Sequence, residues 1–336
     1  MKKGIRIALG IFAVLLCIGA ATLWGAMYYL PNTFNETTDE QVVVIEEKQT
    51  GAEIAQMLYE KGLIRSPELF RLALRISGNG AKLQTGYYQI PNKVNQTELI
   101  ELLQKGHVKT VRVTIPEGYT IGEIAIALEK DRLVTAKEFL DVSKNYVPYQ
   151  YMYGPKPVTY RVEGFLFPST YDIPVDASAK DIIDLMAREM NSQLTPDIRK
   201  QLDDEHMTIF EFITLASLVE KEALFDKDRE PIAAVFKKRL KLGMPIQSDA
   251  SIQYILGYPK AHVTIEDTQL QSPYNTYIIN GLPPGPIANP GKKSLEAVLN
   301  AGDTEYLYFV ADKEGHNHFT KTYEEHLKVV ESIYGN

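Results

Sequence analysis

The sequence predicts an α+β protein in which a single N-terminal transmembrane helix precedes small α/β modules and a larger mixed α+β domain. Three observations support this prediction: an uncharged apolar run near the N-terminus, a strand–helix–helix pattern that occurs twice, and a long, strongly apolar helix pattern in the second half. The 336 residues, 45% of them hydrophobic, suffice for two or three domains with cores of their own.

The first 40 residues divide into a basic tail, an apolar run and a polar linker, which we place at 1–6, 7–30 and 31–40. The run contains no charged residue, and at ~1.5 Å per residue it can cross a ~30 Å hydrocarbon core. A signal peptide has a shorter apolar region, and cleavage at the small residues of the run is the alternative. Basic residues precede the run and acidic residues follow it, so we expect a cytoplasmic N-terminus and an extracytoplasmic remainder.

Composition argues against several classes of function. The net charge of −7 and the lack of a long basic run give no support for nucleic-acid binding. The only cysteine, Cys17, lies in the apolar run, so the remainder has neither a disulfide framework nor a thiolate metal site. His316 and His318 alternate near a strand end, which is more typical of surface or structural histidines than of metal ligands. We therefore predict no metal site and no cofactor.

Residues 41–160 contain one pattern twice, first as VVVIEEKQTGAEIAQMLYEKGL and again as VRVTIPEGYTIGEIAIALEKDRL. In each copy a strand pattern leads to a threonine that is followed three residues later by a glutamate, Thr50 with Glu53 and Thr120 with Glu123. This spacing is that of a capping box and predicts the start of a helix. Two copies indicate a pair of small α/β modules rather than a solenoid.

The chain beyond the repeat alternates between helix patterns and loops. The Tyr- and Pro-rich segment 146–161 is interpreted as a connector or, alternatively, as an exposed aromatic loop. Apolar periodicity predicts helices at 179–190, 208–223, 231–241 and 323–333, and the run EYLYFVAD predicts a strand.

The helix predicted at 208–223 carries the strongest candidate for chemistry. Its apolar side chains cover nearly the whole circumference, which indicates a buried, central helix. Glu220 falls in the middle of the main apolar arc, whereas Glu222 lies on roughly the opposite side. A carboxyl group among apolar side chains loses hydration, which disfavours its charged form, as a general acid near neutral pH requires. The alternative is a structural ion pair with Lys221 or Arg229.

Four successive blocks, EGFLFPSTY, LASLVEKEA, QSDASIQY and SPYNTYIINGLPPGPIANPG, closely resemble the YceG-like family of endolytic murein transglycosylases. The segments LYFVAD and HFTKTYEEH complete a match that covers essentially the whole chain. The repeat region resembles LysM modules, which bind glycans that contain N-acetylglucosamine. A packing module that only positions the catalytic part is the alternative.

The family resemblance implies cleavage of the β-1,4 bond after N-acetylmuramic acid within nascent peptidoglycan, with closure of a 1,6-anhydro ring in place of attack by water. Carried over onto this sequence, the family's catalytic glutamate is Glu220, which first protonates the leaving oxygen and then accepts the proton of the sugar's 6-hydroxyl group. The resemblance also implies a catalytic domain at 161–336, peptidoglycan glycan strands as substrate, and action beside peptidoglycan synthases as a terminator of glycan elongation.

Five further residues in these blocks are candidates for substrate binding. Asn275, Thr276 and Tyr277 offer an amide, a hydroxyl and a phenol suited to sugar groups, or else they serve the turn itself. Glu163 and Asp249 could orient the substrate or the catalytic glutamate, or act as a helix cap or an ion-pair partner. Two other functions stay open: a muramidase-type hydrolase with a second carboxylate, and a membrane-anchored, non-catalytic scaffold that binds peptidoglycan.

Overall fold

The computed structural model describes residues 12, 14–22, 24–25, 41–46, 49–76, 83–91, 94–105, 110–260 and 262–335. The chain divides into two compact units, residues 1–110 and 111–336.

The predicted transmembrane helix at 7–30 lies only in part within the described residues. Those described between positions 12 and 25 are helical. The rest of that range, the tail 1–6 and the linker 31–40 lie outside the described residues. Within the part of the chain that the structure describes, no helix has both the length and the apolar character needed to cross a bilayer.

The first unit is a small α/β structure built on a two-stranded antiparallel sheet, in which Val43 lies opposite Tyr88. A single apolar core joins this sheet to the helices and includes Val43, Leu58 and Phe70, all fully buried. Its elements are β1 (Gln41–Ile45), α1 (Gly51–Glu60), α2 (Pro67–Ile76), β2 (Gly86–Ile90) and α3 (Gln96–Lys105).

The second unit surrounds one larger core and contains mostly helices. Short 3₁₀ turns lie at Gln150–Met152 and Asp267–Gln269. The strands, of which the first begins at the unit boundary, are β3 (Thr110–Thr114), β4 (Thr170–Pro174), β5 (Tyr308–Ala311) and β6 (Asn317–Thr320). The helices are α4 (Ile121–Lys130), α5 (Ala136–Ser143), α6 (Ala179–Gln193), α7 (Pro196–Asp204), α8 (Ile209–Glu222), α9 (Asp226–Lys241), α10 (Asp249–Leu256), α11 (Lys292–Asn300) and α12 (Tyr323–Tyr334).

The internal repeat is confirmed as a structural repeat. Each copy consists of a strand, two helices and a return strand that pairs with the first, β1 with β2 and β3 with β4. Both predicted capping boxes form: the Thr50 and Thr120 hydroxyls accept the N–H groups of Glu53 and Glu123, whose carboxylates accept the threonine N–H groups in turn. The likeness of these copies to LysM modules stays a prediction.

The two copies of the repeat belong to different compact units, although we expected both in one region at 41–160. The reason is packing: Ile124, Leu128 and Phe139 of the second copy lie in the same apolar core as helix α8. The boundary between packed units therefore falls at 110/111. The functional division at residue 160 stays a prediction.

Helix α8 is central and buried, as its sequence predicts. Every residue from Phe212 to Val219 is buried, and the helix packs against α9 and α11 and more lightly against α10. Its start is fixed by a capping box between Thr208 and Glu211. The C-terminal turn of α8 therefore lies where several elements of the second unit meet, and it carries both Glu220 and Glu222.

Candidate active site

Glu220 is held in a buried ion pair. Its Oε1 lies 3.2 Å from Nη1 of Arg229, and the two side chains are 6% and 9% exposed. Its Oε2 accepts the backbone N–H of Gly291 at 3.0 Å and the hydroxyl of Ser294 at 2.8 Å. Both carboxylate oxygens are thus engaged by donors, so the ion pair with Arg229, left open as an alternative by the sequence, is present.

The first turn of α11 explains how Glu220 is held. Gly291 is the N-cap residue of this helix and Ser294 lies in its first turn, so the carboxylate faces the positive end of the helix dipole. Glu117 lies directly against Gly291. The approach is so close that a Cβ atom added to this glycine would fall 2.0 Å from Oε1 of Glu117. A side chain at position 291 would therefore push Glu117 away from this contact.

Glu117 is a carboxylate beside Glu220 that the sequence reasoning missed. It lies in the loop between β3 and α4, with its side chain exposed on one side. Two effects raise the pKa of Glu117: partial burial is the larger, and the negative charge of the nearby Glu220 carboxylate is the next in size. The one feature of the sequence that could have pointed to Glu117 is its position in the second repeat copy, in the loop IPEGYT before the capping box.

Glu222 lies on the opposite face of the same helical turn, in a different environment. The hydroxyl of Ser248 donates to its Oε1. Burial raises the pKa of the Glu222 carboxyl group to about 7, and the negative charge of Asp249 acts in the same direction. The residue nevertheless keeps some contact with solvent. A carboxyl group with these properties can hold a proton near neutral pH and exchange it with a bound molecule.

The loop that carries Ser248 is fixed in an unusual conformation. Gln247 has a φ of 55°, a left-handed value that is uncommon for a residue other than glycine. The N–H groups of Gln247 and Ser248 donate to the carbonyl and hydroxyl oxygens of Thr276, at 3.0 and 2.9 Å. The segment SPYNTY thus holds QSDAS in position beside α8.

Asp249, which is exposed, and Tyr277, which is half-buried, form the rim next to Glu222. The Tyr277 hydroxyl donates to Oδ1 of Asp249. Desolvation and this carboxylate raise the pKa of Tyr277, so the phenol keeps its proton. The side chains of Gln247 and Asp249 are exposed, which makes this the polar, solvent-facing side of the Glu222 environment.

Asn275 and Thr276 are fully buried and bond mainly to the backbone. The Asn275 amide donates to the carbonyl oxygens of Thr268 and Leu270 at 2.9 and 2.8 Å, and its Oδ1 accepts the N–H of Tyr277 at 2.9 Å. These contacts are the turn chemistry that the sequence left open. Substrate contact by these two residues stays a prediction, one that their burial does not favour.

Glu163 lies in a separate buried network. It accepts the N–H of Ile121 at 3.0 Å, the hydroxyl of Tyr254 at 3.3 Å and the amide of Asn289 at 3.4 Å. Burial raises the pKa of Glu163 to about 8. Since Ile121 is the first residue of α4, Glu163 supports the start of that helix, as a cap from a distant loop.

The predicted site residues therefore fall into three groups. Asp249 and Tyr277 come together beside Glu222, Asn275 and Thr276 support that region from beneath, and Glu220 and Glu163 lie in networks of their own. Glu222 and Ser248 were not among the predicted site residues. The sequence signal for Glu222 was its position beside Leu215 and Leu218, both fully buried.

Comparison with known proteins gives consistent matches. The model of the YceG-like family matches residues 43–332. A Bacillus subtilis (strain 168) protein named endolytic murein transglycosylase is 33% identical over 329 residues, with 94% of this chain and 91% of that protein covered. A Streptococcus pneumoniae (strain D39) protein of the same name is 32% identical; the match covers 96% of this chain but only 64% of that protein's length. The crystal structure of a YceG-like protein from Listeria monocytogenes, 31% identical, superimposes with a TM-score of 0.61 and covers 87% of this chain and 100% of that one.

Proposed function

The chain belongs to the YceG-like family, and we propose that it is a peptidoglycan lytic transglycosylase that cuts within glycan strands. The bond it cleaves is the β-1,4 linkage from N-acetylmuramic acid to N-acetylglucosamine, and the product carries a 1,6-anhydro-N-acetylmuramic acid end. The names of the relatives support the activity, and the environment of Glu222 supports the chemistry.

One glutamate of α8 serves as acid and then as base, and we assign this role to Glu222. The observation that carries the assignment is that its carboxyl group is desolvated, with a pKa raised to about 7, yet lies beside an exposed polar rim. Glu220, the residue first expected in this role, has both oxygens occupied by Arg229, Gly291 and Ser294. It remains the competing assignment, which paired variants decide.

The reaction needs one carboxyl group and no water. The proton of Glu222 passes to the glycosidic oxygen as the bond from that oxygen to C1 breaks. The 6-hydroxyl oxygen of the same sugar then bonds to C1, and its proton returns to the Glu222 carboxylate. The enzyme ends each cycle in its starting protonation state. A raised pKa keeps the proton on Glu222 near neutral pH before cleavage and makes the carboxylate a stronger base afterwards.

The neighbours of Glu222 have separate tasks in this proposal. The Ser248 hydroxyl orients the carboxyl group through its hydrogen bond to Oε1. The Asp249 carboxylate, which carries the Tyr277 hydroxyl, lies on the exposed rim where it can stabilise positive charge that develops at C1. Tyr277 itself offers an aromatic ring to the sugar.

We place the enzyme at the bacterial cell membrane, held by the predicted helix at 7–30, with the rest of the chain outside the cytoplasm. The apolar run and its flanking charges support this placement. Action on nascent strands beside peptidoglycan synthases, as a terminator of glycan elongation, follows from the family resemblance. The repeat copies would hold the glycan or position the catalytic part.

The decisive experiment is digestion of purified glycan strands by the full chain in detergent, in water enriched in ¹⁸O, with mass spectrometry of the products. The proposal expects internal fragments with anhydro ends and no ¹⁸O from the wild type and from Glu220→Gln, and no cleavage by Glu222→Gln. Reducing ends that carry ¹⁸O would identify a muramidase-type hydrolase. Binding without any cleavage by the wild type would support the non-catalytic scaffold.

A further inference from the structure

Arg239 is a buried arginine of helix α9 whose described partners are all uncharged. It is 6% exposed, and its guanidinium lies over the ring of Tyr308 at 5.1 Å. Burial lowers the pKa of Arg239, although an arginine keeps its charge at any physiological pH. A buried cation is costly unless several hydrogen bonds satisfy it, so the contacts it makes are strong constraints on the groups that supply them.

All but one of those contacts converge on one loop. Nε donates to the carbonyl of Leu307 at 2.7 Å. Nη1 lies 3.2 and 2.8 Å from the carbonyl oxygens of Pro245 and Ile246, and 3.1 Å from Oε1 of Gln247. Three consecutive residues therefore turn their acceptors toward a single nitrogen atom, and the next residue in the chain is Ser248.

This loop has a conformation that its sequence alone would not favour. Gln247 has a φ of 55°, and such backbone values persist in residues other than glycine only where the surroundings impose them. Thr276 restrains the loop from one side through the N–H groups of Gln247 and Ser248. Arg239 restrains it from the other side by drawing the acceptors of 245–247 inward.

We propose that Arg239 is a positioning residue that holds the loop 245–248 so that the Ser248 hydroxyl is aimed at Oε1 of Glu222. Arg239 touches neither substrate nor Glu222 in this role; it acts through Ser248. The inference rests on the proposed function, since it concerns the same carboxyl group. Lysine cannot replace arginine here, because one ammonium group lacks the planar fork that bonds Leu307 and the loop together.

The test compares Arg239→Lys with wild type in the full chain, using steady-state cleavage of glycan strands. We expect kcat to fall ~10–100-fold with KM within about threefold, since a misplaced catalytic contact costs rate and not substrate binding. Arg199→Lys is the matched control: Arg199 also donates to a carbonyl and an amide oxygen, those of Leu194 and Asn191, and lies over the ring of Tyr151. Its kcat should equal that of the wild type.

A double-mutant cycle with Ser248→Ala separates positioning from general destabilisation. If Arg239 acts through Ser248, the double variant loses little more kcat than Ser248→Ala alone. Additive losses of kcat would overturn the inference. So would a loss of kcat in Arg239→Lys that equals the fraction of this variant unfolded under the assay conditions, as determined from its urea unfolding curve. Should Arg239→Lys not fold, Gln247→Ala removes one acceptor of Arg239 and should show a smaller, equally non-additive loss.

Failure of this inference and failure of the proposed function give different results. A wild type that forms no anhydro ends refutes the function. A wild type that forms them, together with an Arg239→Lys variant that cleaves at the wild-type kcat, refutes the role of Arg239 alone.

Discussion

The last turn of α8 carries two glutamates only two residues apart, and their environments differ in almost every respect. Glu220 faces Arg229 and the first turn of α11, and donors engage both of its oxygens. Glu222 faces Ser248, and its described partners lie on the loop before α10 and in the first residues of that helix. One environment stabilises a fixed negative charge, whereas the other favours a proton that can be given up and taken back.

This difference follows from helix geometry. Residues two positions apart on an α-helix are separated by about 200° of rotation. A helix that is apolar on both sides therefore gives no reason to prefer one glutamate over the other as the catalytic acid. What ranks them is the identity of the covering elements. Buried charges with full sets of donors are most often structural, whereas a desolvated carboxyl group near a polar rim is suited to acid–base work.

The largest expected effect is the loss of activity in Glu222→Gln. Glutamine keeps the shape of the side chain but can neither give nor accept the proton, so kcat for strand cleavage should fall ~10²–10⁴-fold. Thermal unfolding should be unchanged or shifted upward, because an amide is cheaper to bury than an ionisable carboxyl group. If Glu220→Gln abolishes cleavage per folded molecule while Glu222→Gln cleaves normally, the two assignments must be exchanged.

The next effect in size is the loss of stability in Glu220→Gln. Removing one partner of a buried ion pair leaves the Arg229 charge without its main counter-charge, which costs about 3–5 kcal/mol. Asp226, 3.3 Å from Nε of Arg229, keeps part of the compensation, so we expect the lower end of that range. Urea unfolding followed by fluorescence measures the shift, and Glu230→Gln on the exposed face of α9 is the control. Equal midpoints for Glu220→Gln and the wild type would contradict a structural role.

Contacts between residues close together in the sequence could be predicted, whereas contacts between residues far apart could not. The capping boxes at Thr50 and Thr120, which the sequence predicted, involve residues three apart, and the box at Thr208 has the same local spacing. The burial of α8 follows from its apolar circumference. The Arg229 ion pair was foreseen as an alternative because that residue is only nine positions away.

The contacts that separate the two glutamates are not local. Gly291 and Ser294 lie 71 and 74 residues from Glu220, and Ser248 lies 26 residues from Glu222. Periodicity contains no information about which loop covers which face. The family resemblance proposed the blocks QSDAS and SPYNTY as walls of the site, which stays a prediction, and only the fold shows that they lie on the Glu222 side of the helix.

The pH profile of strand cleavage distinguishes the two glutamates in a third way. Since Glu222 acts first as an acid and its pKa is raised to about 7, kcat should fall as the pH rises through that value. Ser248→Ala removes a hydrogen bond that favours the ionised carboxylate, so the pKa rises further and the falling limb moves by about one pH unit to higher pH. This variant leaves the neighbouring residues Asp249, Tyr277 and Arg239 unchanged. Their effect on the pKa of Glu222 is therefore the same in the wild type and in Ser248→Ala.

A profile that falls at the same pH in the wild type and in Ser248→Ala would show that another group controls the rate. If Glu117, whose pKa is raised by partial burial and by the nearby Glu220 carboxylate, were that group, Glu117→Gln would abolish the falling limb. The response of the limb to Ser248→Ala and to Glu117→Gln therefore distinguishes Glu222 from Glu117 as the group that titrates during catalysis.

The smallest expected effect comes from the opposite end of the helix. Thr208→Ala removes the N-cap hydroxyl that accepts the N–H of Glu211, which should cost about 1 kcal/mol of stability. At ~1.5 Å per residue the cap lies about 20 Å from Glu222, so kcat per folded molecule should not change. Thermal unfolding and strand cleavage, measured on the same preparation, test both statements. A clear fall in kcat would mean that the helix transmits changes along its axis, and the contrast between Glu220 and Glu222 could then no longer be read from their immediate neighbours.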